Sequence, residues 1–206
     1  LALAFIITFL FIYIFSVDSL IFFVGLLSVS WIVINILLDL KRSLNNKIKI
    51  NNRIGMYLAH LGLAVFILGA SVSENNKIER EIILELGSST KIGSYEYRLD
   101  EISETMKSNY DAIIATVSVF RNNVFVTSIK PEKRLYHSSD SPMTEAGIFP
   151  RFERDLYVSL GNMVDDNKWL VRIYDKPLIR FIWIGAILMV IGSILTIKSK
   201  RKLKNE

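Results

Sequence analysis

The 206-residue sequence contains no cysteine and only two histidines. Without cysteine it has no disulfide, no zinc–thiolate site and no thiol nucleophile of its own. Any thiol chemistry in which it takes part must use a partner's thiols. The two histidines, His60 and His137, fall in segments of different character and do not read as one site. No Ser-His-Asp arrangement, glycine-rich phosphate loop, paired-carboxylate site or metal-spaced cluster is present, so a self-contained catalytic centre is not expected. Internal repeats and low-complexity stretches are also missing. Basic residues cluster only beside apolar runs, which gives no nucleic-acid signature.

What the sequence does have is long apolar runs. Hydrophobic residues make up 51% of it, and they gather rather than alternate. About 20 apolar residues at 1.5 Å each cross a bilayer's hydrocarbon layer. Residues 1–16 and 20–38 form two runs broken at Val17-Asp18-Ser19. A lone acid in mid-bilayer is costly, so 1–39 is expected to be a hairpin of two transmembrane helices turning at Asp18. Residues 40–53 read as a basic, asparagine-rich cytoplasmic loop. A third span is expected over 54–72 and a fourth over 177–197, with a basic tail at 198–206. The run at Leu1 has no basic leader and no small-residue cleavage site. The sequence therefore reads as a piece of a longer chain.

Charge orients these spans. The 40–53 loop carries five Lys/Arg and no acid, whereas residues 73–176 carry 14 Lys/Arg against 17 Asp/Glu. By the positive-inside rule the loop and the tail are cytoplasmic and 73–176 lies outside. That outer segment is expected to be a β-rich domain. Glu79–Glu85, Lys91–Leu99, Ala112–Phe120, Val124–Ile129, Leu156–Leu160 and Trp169–Tyr174 are short β-branched or alternating runs punctuated by Asn, Asp and Gly. Residues 130–150 lack that alternation and read as a long ordered loop, a common place for function. Lys133 and Arg134 within it are candidate contacts for carboxylates of a ligand or partner. His137 reads as a surface residue.

His60 is the sharper candidate, because an ionisable side chain inside a span is costly and marks function by default. Haem ligand, proton relay and hydrogen-bonded packing residue all remain open from the residue alone. Gly55, Gly62 and Gly69 repeat every seven residues as a small-residue stripe for close helix packing. His60 lies about 140° from Gly55 at 100° per residue and faces elsewhere. Met56, Ala64 and Ile67 share its side, and Ala64 is expected to leave room beside the imidazole.

Four blocks carry a resemblance. GMYLAHLGLAVFILG at 55–69, PEKRLYHSSDSPMTEAGI at 131–148, RDLYVSLG at 154–161 and WLVRIYDKPLIRFIWIGAILMVIG at 169–192 resemble the C-terminal part of the CcmF family. The resemblance implies a component of the haem lyase of cytochrome c maturation in a bacterial or mitochondrial inner membrane. Such a protein receives haem from a haem chaperone, works with other maturation subunits and presents the haem to apocytochrome c. Thioether bonds then form with the substrate's Cys-x-x-Cys-His thiols. It also implies a haem b among the membrane helices with two axial histidines, one of which matches His60. The family's Trp-rich haem-handling motif, its flanking histidines and the second haem b ligand are not in this sequence. They are expected upstream on the same polypeptide or on a separate chain, so the piece is not a self-sufficient enzyme. Two alternatives from other classes are a membrane-anchored assembly or binding module without a cofactor and a transporter fragment using His60 as a proton relay.

Overall fold

The computed structural model describes residues 2–15, 19–45 and 53–204. It divides into a helical unit, residues 1–76 with 177–206, and a β unit, residues 77–176. The helices are α1 (Ala2–Phe15), α2 (Leu20–Asn45), α3 (Ile54–Asn76) and α4 (Ile179–Lys204). Three of them, α2, α3 and α4, are long and apolar enough to cross a membrane. The 14 residues of α1 make a shorter apolar helix beside them. Their outward faces carry Leu3, Ile6, Phe9, Leu20, Ile21 and Trp183, all exposed. In water such a surface would be unstable, whereas in lipid it is the favourable one. The molecule is thus a helical membrane protein with an inserted β-rich domain. The turn expected at Asp18 lies outside the described residues, as do residues 46–52 of the basic loop and 205–206 of the tail.

The α3–α4 pair is built on glycine. A Cβ on Gly62 would stand 2.7 Å from both the Gly185 carbonyl and the Met189 nitrogen. One on Gly55 would stand 2.6 Å from the Gly192 carbonyl. The two backbones therefore touch along a seam, since hydrogen is the only side chain that fits. Gly62→Ala is expected to force the helices apart at a cost of about 1–3 kcal/mol, as overpacking does. A lowered midpoint for loss of helicity in detergent would show it. An unchanged midpoint would mean that the seam is looser than drawn.

The helices run past the boundaries set by charge. Helix α2 continues through Asp39, Lys41 and Arg42 to Asn45, and α4 continues from Ile197 to Lys204. Basic residues suit a helix C-terminus because they complement the macrodipole. Charge thus ends the apolar stretch without ending the helix.

The β unit is two sheets around one core. One has the order β1 (Ile78–Glu85), β10 (Lys168–Pro177), β9 (Arg154–Asp165), β8 (Gly147–Pro150). The other has β2 (Ser89–Ile92), β3 (Tyr95–Met106), β4 (Tyr110–Arg121), β6 (Glu132–Tyr136), β7 (Met143–Glu145), with β5 (Val124–Ile129) also paired to β4. Alternate residues point inward. Tyr95, Tyr97 and Leu99 of β3 with Val117 and Val119 of β4 meet Leu156, Val158, Leu160, Val171 and Ile173 from the other sheet. Each such aliphatic side chain contributes about 1.5–3 kcal/mol by burial. The Asn122-Asn123 hairpin turn has φ of 51° and 64° at its two residues, the left-handed pair that a two-residue hairpin loop needs. The first and last strands pair antiparallel, with Ile78 opposite Asp175.

Residues 130–150 are not one long loop. They hold β6, β7 and β8, and only 137–142 connect β6 to β7. These strands are short and lie at or near the rim, and β6 is half-covered rather than buried on one face. Period-two alternation is absent for that reason. The segment also changes sheets, since β7 pairs with β6 whereas β8 pairs with β9. Gly147 sits at that crossing, where a Cβ would come 2.9 Å from the Pro131 nitrogen.

Candidate functional site

With its glycine face on α4, helix α3 turns the opposite face toward α2. A groove of about 680 Å³ lies between them, walled by Met56, Tyr57, His60, Leu63 and Ile67 of α3. Across it, Trp31, Asn35, Asp39 and Arg42 of α2 also line the groove. Their spacing of four, four and three residues puts them on one helical face.

One end of the groove is closed by a polar cluster. The Arg53 guanidinium donates from one nitrogen to both Asp39 oxygens, at 2.9 and 2.7 Å, and the Tyr57 hydroxyl donates to Asp39 Oδ2 at 2.8 Å. The Ser43 hydroxyl lies 3.3 Å from the Tyr57 hydroxyl. This cluster ties α2 to α3 and balances the Asp39 charge.

His60 stands next to it on the wall. Its Nδ1 is 2.8 Å from the Met56 carbonyl oxygen. A carbonyl only accepts, so Nδ1 carries the proton and the ring is held by its own helix. Nε2 is left unbonded on the groove side, and it is the ring nitrogen available to bind a metal. Met56 and Ile67 share the groove wall with His60, but Ala64 does not. It is only 2% exposed and is spent on packing. The space beside the imidazole therefore comes from the separation of the helices rather than from a small residue at 64.

The other candidates belong to the β unit. Lys133 and Arg134 are neighbours on β6 and point to opposite faces. Lys133 donates to Asn162 Oδ1 and lines a shallow groove of about 350 Å³ with Glu104, Met106, Asp111 and Pro142. Arg134 donates to Glu132 at 2.7 Å, lies 3.7 Å from Glu145 and stacks 4.9 Å above the Tyr110 ring. Its bond to Glu132 holds the guanidinium firmly charged, above even the usual arginine range. His137 is half-exposed and 3.4 Å from Asp111. Among the described residues no group of three His, Asp or Glu side chains could hold a metal ion. The groove offers one imidazole.

The β unit matches a family model described as the CcmF C-terminal beta-sandwich over residues 75–177. The chain belongs to the CcmF family. The cytochrome c-type biogenesis protein CcmF of Haemophilus influenzae is 38% identical over 147 residues, covering 71% of this chain and 23% of that protein. CcmF of Escherichia coli is 38% identical over 150 residues, with 73% and 23% covered. The biogenesis protein NrfE of Haemophilus influenzae is 32% identical over 151 residues, with 73% and 24% covered. The chain thus spans about a quarter of the length of these relatives. A solved structure of Cytochrome c Heme Lyase CcmF superposes with a TM-score of 0.79 at 16% identity, over 95% of this chain and 33% of that one. At that identity the likeness speaks for the fold alone.

Proposed function

We propose that this chain is the C-terminal portion of a haem lyase of cytochrome c maturation and supplies one axial ligand, His60, to a haem b held among its membrane helices. The observation that carries the reading is the His60 ring, with Nδ1 bonded to Met56 and Nε2 free on the wall of the α2–α3 groove. The groove fits such a group. Its volume falls within the about 300–1,000 Å³ of cofactor sites, its walls are mostly apolar, and a cation stands at its polar end. When bound, the haem supplies one-electron transfer.

The chain's own residues then have three tasks. His60 presents Nε2, Met56 orients that ring through its carbonyl, and Asp39, Arg53 and Tyr57 hold the two walls together. A second imidazole and the substrate-haem site come from the upstream portion, and the reacting thiols from apocytochrome c. The β unit lies on the outer side of the inner membrane, where it meets apocytochrome c, the haem chaperone or another maturation subunit. Lys133 and Arg134 are the proposed carboxylate contacts there.

The test is to purify the chain together with its upstream portion and record oxidised and reduced absorbance spectra. A b-type spectrum is expected, and a colourless preparation would instead favour a cofactor-free binding module. For the outer surface, Lys133→Glu is the cleaner probe, because Arg134→Glu would also break pairs with Glu132 and Glu145. Cytochrome c yield is expected to drop several-fold with Lys133→Glu at unchanged protein level. An undiminished yield would remove Lys133 from the interface.

A further inference from the structure

We infer that Arg42 anchors a haem propionate, so that the α2–α3 groove recognises its cofactor at two points, the iron at His60 and a rim carboxylate at Arg42. The inference rests on the haem b reading proposed above and assigns a residue that the His60 ligand does not require.

Charge makes the argument first. Two cations and one acid stand at the polar end of the groove, and the acid is taken. Asp39 receives two bonds from Arg53 and one from Tyr57. Among the described residues Arg42 has no ion pair and no hydrogen bond, yet it lines the groove. With Arg53 and Asp39 it leaves one net positive charge at the polar end of a groove that is mostly apolar elsewhere. The complementary ligand is a largely apolar body with a negative rim. Arginine is suited to the task because its planar fork matches a carboxylate with two parallel bonds.

Position agrees. Tyr57 bonds with Asp39 and Ser43, which sets this level of α3 opposite residues 39–43 of α2, Arg42 included. His60 is three residues further along α3, about 4.5 Å at 1.5 Å per residue. His60 and Arg42 therefore stand at different levels of the groove, with Arg42 at its polar end. The long arginine side chain adds to this reach, and a macrocycle standing along the groove with its metal at His60 would direct a rim carboxylate toward that end. It also leaves that carboxylate at the polar end rather than among Leu63 and Ile67, where a charge would be costly.

The decisive experiment varies the ligand as well as the residue. The chain, purified with its upstream portion, is stripped and reloaded with haem or with haem dimethyl ester, and the rate of pigment release is followed by absorbance. In the wild type the ester is expected to leave about tenfold faster, the effect of losing one charge-assisted bond. In Arg42→Gln, haem and ester are expected to leave at the same fast rate, and Arg42→Lys should recover part of the difference. Equal release of haem and ester from the wild type overturns the assignment without any mutation being involved. So does an Arg42→Gln chain that still distinguishes the two, or one that releases both faster while keeping their ratio, since Arg42 would then act on helix packing. Failure of the haem b reading has a different signature, a preparation that binds neither pigment or one whose spectrum ignores His60→Ala.

Discussion

Replacing His60 with alanine is expected to strip the b-type spectrum from the purified protein while leaving the protein in the membrane. The ring is on the groove wall, on the face of α3 opposite the glycine seam with α4, so its removal does not disturb that contact. Only one backbone-directed bond is lost, and the Met56 carbonyl that accepted it still belongs to an intact helix. A haem held as proposed would lose an axial nitrogen outright. Loss of an outer-shell partner already lowers metal affinity by roughly 10–100-fold, and loss of the ligand itself should exceed that. Haem content per protein, measured after extraction, is the readout, with Met56→Ala as a comparison that keeps the imidazole. If His60→Ala retained full haem, the histidine would be a packing residue and the groove would serve something else.

Arg154→Ala should be the most damaging single change in the β unit. Asp175 is 1% exposed, and its Oδ2 accepts from Arg154 at 2.6 Å. Among the described residues its other oxygen, Oδ1, has no hydrogen-bond partner, and neither does the buried hydroxyl of Tyr97 nearby. Burial, followed by the Asp175 carboxylate, pushes the Tyr97 hydroxyl well above its ordinary pKa, so it stays protonated. The guanidinium is thus the group that compensates a carboxylate deep in the sandwich. Removing one partner of such a pair costs about 3–5 kcal/mol, a large share of the about 5–15 kcal/mol that holds a domain together. The full chain should become sensitive to protease within residues 77–176 at denaturant concentrations that the wild type resists. The double change Arg154→Leu with Asp175→Leu should recover much of the loss, because an apolar pair leaves no stranded charge. A single variant as resistant as the wild type would mean that water, not Arg154, stabilises Asp175.

The legibility of the chain followed the physics of each element. β4 and β9 announced themselves because each buries one face, as Val117 and Val119 or Val158 and Leu160 do, and burial on one face writes period two into the sequence. The rim strands β6 to β8 bury no face fully and wrote nothing. His60 stood out because an imidazole among apolar residues is conspicuous. Its groove partners did not. Trp31, Asn35, Asp39 and Arg42 were spaced for one helical face, but the charges at 39, 41 and 42 suggested that the helix had already ended. Arg154 and Asp175 were least visible of all. They are 21 residues apart, and only the antiparallel pairing of β9 with β10 makes them neighbours.

The pairing of Ile78 with Asp175 bears on how the protein is assembled during synthesis. Helices α3 and α4 are separated by a hundred-residue insertion, and bringing together the ends of a slack loop of that length costs about 4 kcal/mol of chain entropy. Once the sandwich has formed, its first and last strands are hydrogen-bonded to each other, so that cost has already been met. The nascent fourth helix is then delivered next to the third, leaving only rotation and sliding before the glycines meet. A lesion in the sandwich should therefore appear as a helix pair that fails to close, even though no membrane residue has changed.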